Sequence, residues 1–273
     1  MVNFKEIKAF LQSHIDEIEA GGDGVNGLLR NKSNRCVEIP WIILNFLRVQ
    51  NNPERILDTG ISFFDRVYFN LFLNTVISPS REFHAIDIIP FKPERFFKRA
   101  NKEPLEKIRF KQGDIRCMPY IDSFFDIVFC ISTIEHIGFD MVNLNNAKSS
   151  FDRPGKIPEA FPSTKSWDED LKSMKEITRV LKPGGTLFLT VPFGKEEIIA
   201  EKDSLGLYAL ELQYDETRLA KITSLPGINI VQKQIFTYDK VGGWDDKILS
   251  SITSRKSAVA CLEIEKAKAG NQL

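Results

Sequence analysis

Apolar positions follow two different rhythms along this chain. Over residues 1–20, Phe4, Ile7, Phe10, Leu11, Ile15 and Ile18 recur at close to helical spacing, which predicts an amphipathic helix. The glycine-rich run GGDGVNG, residues 21–27, predicts a flexible break. A second apolar segment, PWIILNFL over 40–47, predicts a helix with Pro40 in its first turn, where the missing N–H costs nothing. Beyond it the rhythm changes. Short apolar runs predict strands over 55–58, 82–87, 108–112, 125–131, 186–191, 228–236 and 258–265. Several are nearly continuous rather than alternating, the mark of parallel strands buried on both faces. Helical patterns over 167–181 and 215–225 lie between strands, and that alternation implies right-handed crossovers and a doubly wound α/β sheet.

One segment breaks the pattern. Residues 139–166, FDMVNLNNAKSSFDRPGKIPEAFPSTKS, are polar and punctuated by Pro154, Pro158 and Pro162. Loops this long inside a domain are usually functional, and this one follows the fourth strand, at the sheet edge where ligands bind. It is expected to form a mobile lid, with Phe151 and Phe161 as apolar anchors.

Composition narrows the classes. Hydrophobic residues at 42% and charged residues at 27% suit a globular core. Lys plus Arg equals Asp plus Glu, 37 each, so no global field favours nucleic acid or anionic membrane. Cys36, Cys117, Cys130 and Cys261 are scattered, with no CxxC spacing, which disfavours a zinc site or a disulfide framework. The first residues read as neither a signal nor a transit peptide. No apolar run approaches the ~20 residues of a membrane span. A cytoplasmic protein is expected.

Four stretches carry candidate chemistry. In ERILDTGISFFDR a strand runs into Asp58 and a turn at Gly60 that brings backbone close to a ligand. The GxGxxG that cradles a dinucleotide's pyrophosphate is absent, since residues 60–65 read GISFFD. A cofactor without phosphate tolerates the larger residue. In FHAIDI, Asp87 closes the second strand and can accept from both ribose hydroxyls, or else cap a helix. In FKQGDI, Asp114 can meet an adenine amino group while Ile115 lies against the ring. The central strand then ends in STIEH, residues 132–136. His136 there is either a general base or a packed histidine donating to a carbonyl. The last stretch, MKEITRVLKPGGTLFLTVPFG, is a helix, a turn in which Gly184 and Gly185 allow positive φ, and a buried strand.

In this order and spacing, the four stretches resemble class I S-adenosylmethionine-dependent methyltransferases of the type 11-like group whose fourth strand ends in S-x-I-E-H. RCVEIPWIIL, residues 35–44, is similar to a lead-in segment of members associated with surface-sugar metabolism. The resemblance covers roughly residues 35–265. It implies a seven-stranded Rossmann-like sheet of order 3-2-1-4-5-7-6 with strand 7 antiparallel, and S-adenosylmethionine as cofactor with S-adenosylhomocysteine as product. Carried onto this chain, the cofactor site comprises Asp58, Gly60, Ser62, Asp87, Ile88, Asp114, Ile115 and Ser132. Ser62 replaces the second glycine of D-x-G-x-G and is small enough to pass near the methionine moiety. Residues 1–50 become a helical extension or cap, and 51–273 the methyltransferase domain with the lid insertion.

For catalysis the candidates are His136, Glu135 and Tyr214, although Tyr214-Asp215 also reads as a helix cap with Asp215 at the N-cap. Glu135, His136 and Asp168 are the nearest approach to a metal set, and no metal is expected. A small-molecule or sugar-containing acceptor is expected, with O-methylation favoured. The alternatives are a non-catalytic binding protein on the same fold, suggested by the altered turn, and an NAD(P)-dependent oxidoreductase, disfavoured by the missing glycines.

Overall fold

The computed structural model describes residues 2–18, 22–49, 53–61, 67–88, 90, 107–138, 168–202, 208–239, 242–246 and 258–268. Parallel strands β1 (Arg55–Thr59), β2 (Glu82–Asp87), β3 (Ile108–Gln112), β4 (Phe125–Ile131) and β5 (Leu181–Phe193) form its centre. β6 (Glu197–Lys202) and β7 (Tyr208–Gln213) pair separately as an antiparallel ribbon. β8 (Ile228–Asp239), β9 (Gly243–Asp245) and β10 (Ala258–Lys266) complete the main sheet, whose order is β3-β2-β1-β4-β5-β10-β8-β9. β10 runs antiparallel to both β5 and β8. The doubly wound class and the antiparallel hairpin are as expected, with β8 and β10 as the sixth and seventh strands. Among the described residues there are two additions, the β6–β7 ribbon and an eighth strand of the main sheet, β9, on its outer edge. β9 is anchored by Trp244, whose Nε1 donates to the Asn31 carbonyl at 2.8 Å.

Helices cover both faces. On one, α1 (Phe4–Ser13), α2 (Gly24–Arg30), α3 (Arg35–Phe46) and α4 (Phe69–Val76) share a core with Ile56, Phe83, Ile127, Phe129 and Phe188. On the other, α5 (Glu169–Val180) and α6 (Glu216–Thr223) pack on Leu57, Ile86, Val128, Leu187 and Leu189. Neighbouring residues of one strand thus enter opposite cores, which is why the strand sequences are apolar throughout.

Three helix expectations are corrected. The supposed break over 21–27 contains the start of α2, because Val25, Leu28 and Leu29 bury one face and outweigh the glycine penalty. α3 begins at Arg35, so Pro40 is interior rather than in the first turn. Pro40 has no N–H for the Cys36 carbonyl, yet every residue from Cys36 to Ile43 is buried, and tertiary packing holds the helix. At the exit of α5, Gly184 alone takes positive φ, +76°. Gly185 is needed for room: a Cβ there would lie 2.9 Å from the Asp126 and Lys182 carbonyl oxygens.

Candidate active site

Because β1 to β4 are parallel, their carboxyl ends share one edge, and backbone hydrogen bonds fix their order along it. The Gly60 N–H donates to the Ile86 carbonyl at 2.8 Å, and the Gly113 N–H to the Asp87 carbonyl at 2.8 Å. Thr133 Oγ1 donates to the Thr59 carbonyl at 3.0 Å. Ser132, Gly60, Asp87 and Asp114 therefore stand in a row across the crevice where the winding reverses between β1 and β4. Ile88 follows Asp87, half-buried; Ile115 is buried beside Asp114. Asp58 is fully buried one position before the strand end. Ser62 and the proposed lid, residues 139–166, lie outside the described residues.

Two details depart from the sequence reading. Gly60 has φ +81°, as a tight turn requires, but a Cβ there would lie 2.5 Å from both Oγ1 and Cγ2 of Thr133. The missing side chain makes room for Thr133 at the β4 exit. Asp114 is clamped by Arg116, whose Nε donates at 3.0 and 2.9 Å and whose Nη2 donates at 2.6 Å. Burial raises the Asp114 carboxyl, but the Arg116 hydrogen bonds outweigh it and hold the group below its usual value. Any adenine amino group must share an oxygen with that guanidinium. Arg116 Nη1 also donates to Glu169 at 2.9 Å, tying the β3 exit to α5.

Beside this row opens a cavity of about 400 Å³. α3 and the turn before it contribute Lys32, Arg35 and Glu38; the β4 exit contributes Ser132, Glu135 and His136; β5 and β7 close it with Pro192 and Glu211. Glu135 is buried, and its Oε2 has no hydrogen-bond partner among the described residues. Burial, reinforced by the charge of Glu211, pushes its carboxyl well above the usual range and favours the neutral acid. His136 also lines the cavity and is partly exposed.

That environment has a measurable consequence. From the ordinary carboxyl value of 4.5 up to its raised folded value, the native state binds more protons at Glu135 than the unfolded chain does. Its contribution is therefore fully present at low pH and is lost as pH rises through the folded value. Glu135→Gln is expected to melt higher than the native protein at about pH 8 and nearly alike at about pH 4. Parallel pH profiles of the two would show Glu135 ionised in the fold.

Tyr214 does not line the cavity. It is fully buried, and its hydroxyl donates to Asp170 Oδ2 at 2.9 Å. Asp215 caps α6, accepting from the Arg218 N–H at 2.7 Å. Asp168 pairs with Lys221 at 2.5 Å and Arg218 at 3.3 Å. No group of three or more metal-ligating side chains occurs among the described residues, and no helix there is long and apolar enough to cross a membrane. Arg35, Glu38 and Glu211 were missed from the sequence. The available signal was a charged pair three residues apart inside the apolar run RCVEIPW.

A doubly wound sheet with polar strand ends aligned at its switch point is the architecture of a Rossmann-like, cofactor-dependent enzyme. The sequence profile of the methyltransferase domain family matches residues 66–221, more than half of the chain, and the protein belongs to that family. No curated protein sequence matches it. Among solved structures, it is similar to the 1,6-didemethyltoxoflavin N1-methyltransferase of Burkholderia thailandensis, which holds 1,6-didemethyltoxoflavin and S-adenosylhomocysteine. The two are 13% identical with a TM-score of 0.50, over 96% of this chain and 88% of that one. A Methanosarcina mazei S-adenosylmethionine-dependent methyltransferase is 18% identical, TM-score 0.48, over 83% and 97%. The N-methyltransferase NodS of Bradyrhizobium japonicum, in complex with S-adenosylhomocysteine, is 12% identical, TM-score 0.46, over 94% and 98%. At 13% identity, the Burkholderia likeness is one of fold. The class I methyltransferase resemblance read from the motifs agrees with the family assignment.

Proposed function

We propose that this methyltransferase uses S-adenosylmethionine to methylate a hydroxyl of a small polar acceptor, a sugar or glycan precursor, held in the cavity beside the β4 exit. The observation that carries the reading is the juxtaposition of the strand-end row with a cavity in which every lining residue but Pro192 carries a polar side chain. When bound, the cofactor supplies a methyl group on a positively charged sulfur, open to in-line displacement. The chain's own work is then positioning and proton handling. Asp87 accepts from the ribose hydroxyls, Gly60 holds the turn, Ile88 and Ile115 flank the adenine, and Ser132 lies toward the methionine end.

Within the cavity, Glu211, Glu38 and the neutral acid Glu135 offer oxygen atoms to acceptor hydroxyls. A neutral acid cannot take a proton, so that task falls to His136, which lines the cavity, is partly exposed and can pass the proton to solvent. Tyr214 acts from below: its N–H donates to the Pro192 carbonyl at 2.9 Å, and its carbonyl accepts from the Gly194 N–H at 2.8 Å, which fixes one wall.

The ribose contact gives the test. Asp87→Ala is expected to weaken S-adenosylhomocysteine binding by about 1–3 kcal/mol, read by calorimetry. An unchanged affinity would remove Asp87 from the site.

A further inference from the structure

We propose that His84, the third residue of β2, is an acid-sensitive latch: neutral, it lets the β3–β4 connection close over it, and protonated, it opens that connection to water. This latch is independent of the cofactor reading, because His84 belongs to neither the strand-end row nor the cavity lining.

The setting is unusual for a histidine. His84 is 5% exposed, and neither ring nitrogen has a hydrogen-bond partner among the described residues. Buried polar atoms normally find partners. Its neighbours are aromatic instead. The ring centroids of Phe125, Tyr120 and Phe124 lie 5.2, 5.5 and 5.7 Å from its own, crossing it at 76°, 82° and 89°. The buried Tyr120 hydroxyl also has no partner among the described residues. Burial pushes that phenol up to about 12, so it stays neutral.

A neutral imidazole fits such a box, and an imidazolium does not. Protonation adds a charge and a second N–H donor to a ring whose nitrogens already lack partners. The surrounding charges do little to offset this. Glu82, on β2 itself, stands 3.6 Å from Nε2, too far for a hydrogen bond. It is shared with Arg55 of β1 at 3.4 Å and Arg109 of β3 at 3.1 Å. Arg55 also lies over the Phe124 ring at 4.6 Å, and Lys111 of β3 over the Tyr120 ring at 4.5 Å, so two walls of the box already hold cations. On the α5 side, Arg179 is paired with Glu176 and Asp122. Burial is the largest influence on His84 and lowers its basicity; Arg109 and Lys111 reinforce it, and Glu82 offsets only part. From the ordinary value of 6.5 downward, an open connection therefore binds a proton that the closed one excludes. The balance shifts toward the open form as pH falls.

The cover is built to respond. Pro119 and residues 121–123 are exposed, while Tyr120 and Phe124 turn inward onto His84, so its outer side already meets solvent. Its attachments lie along its rim. Arg179 donates to the Tyr120 and Met118 carbonyls at 2.9 and 3.1 Å, and Lys111 to the Pro119 carbonyl at 3.2 Å. The Ser123 and Phe124 N–H groups donate to the Arg179 and Val180 carbonyls at 2.9 and 2.7 Å, and those two amides report on closure.

Hydrogen exchange of the whole chain, read by mass spectrometry at about pH 7.5 and about pH 5.5 and corrected for intrinsic chemistry, tests the latch. At the lower pH, native protection at Ser123 and Phe124 should fall several-fold, about tenfold being the limit for one unit below the ordinary value. β4 and α5 should keep theirs. His84→Phe, which fills the box without titrating, should protect the connection equally at both pH values. His84→Leu carries the same expectation if phenylalanine proves too large to fold. Native protection that is equal at both pH values, or a loss that the folded variant shares, overturns the inference. So does a loss that extends equally to β4 and α5, which would be global unfolding.

Discussion

Gly60→Val is expected to destabilise the protein by about 3–5 kcal/mol, read from the midpoint of urea unfolding. Two costs combine. At φ +81° a β-branched residue is strained, and the new Cβ would sit 2.5 Å from the Thr133 side chain. The costs can be separated. Gly60→Ala combined with Thr133→Ala removes the atoms in closest conflict and should recover the steric share, leaving the backbone share. If that pair is no more stable than Gly60→Ala alone, Thr133 is not what excludes a side chain. Cofactor affinity per folded molecule should also fall, since the turn connects β1 to Ser132 through Thr133.

Asp170→Ala is expected to cost a similar amount, about 3–5 kcal/mol, because it removes the buried partner of Arg218 and leaves that cation only the longer contact to the exposed Asp168. Asp170 is fully buried and Arg218 is 5% exposed. Arg218 Nη2 and Asp170 Oδ1 are in close contact, Arg218 Nε donates to Oδ2 at 3.1 Å, and the Tyr214 hydroxyl donates to the same oxygen. Burial, then the charge of Asp170, pushes the Tyr214 phenol well above its ordinary value, so it remains a donor. Removing the cation too, in Asp170→Ala with Arg218→Met, should restore part of the loss, because two apolar groups need no partner. Full additivity of the two single losses in urea titrations would mean that the groups do not act as a pair. Tyr214 braces Pro192, so the single variant should also blunt turnover beyond its effect on the folded fraction.

The central sheet was legible because each strand is coded by its own residues. β2, β3 and β4 carry the bounds that their apolar runs imply, and β1 exceeds its run only by Thr59. The strand order came from the resemblance rather than from periodicity. What escaped depended on partners distant in sequence. α2 forms through two glycines, Gly24 and Gly27, because Val25, Leu28 and Leu29 find the core beneath them. β9 is too short to announce itself, and exists because Trp244 reaches Asn31 and a Gly243 side chain would strike the Leu29 carbonyl.

The site divides in the same way. Asp87 and Asp114 could be placed at strand ends, but the Arg116 clamp on Asp114 is tertiary detail. Glu38 was hidden because a glutamate inside an apolar helix reads as an exposed residue until the helix proves buried all round. Tyr214 looked available at a junction, and its burial follows from Asp170 and Arg218, residues on two other elements.

If the aligned ends of β1 to β4 hold S-adenosylmethionine, calorimetric titration of the native protein with S-adenosylhomocysteine gives saturable one-to-one binding, and a separate titration with NADH gives none. Saturable NADH binding with no response to S-adenosylhomocysteine would contradict that placement.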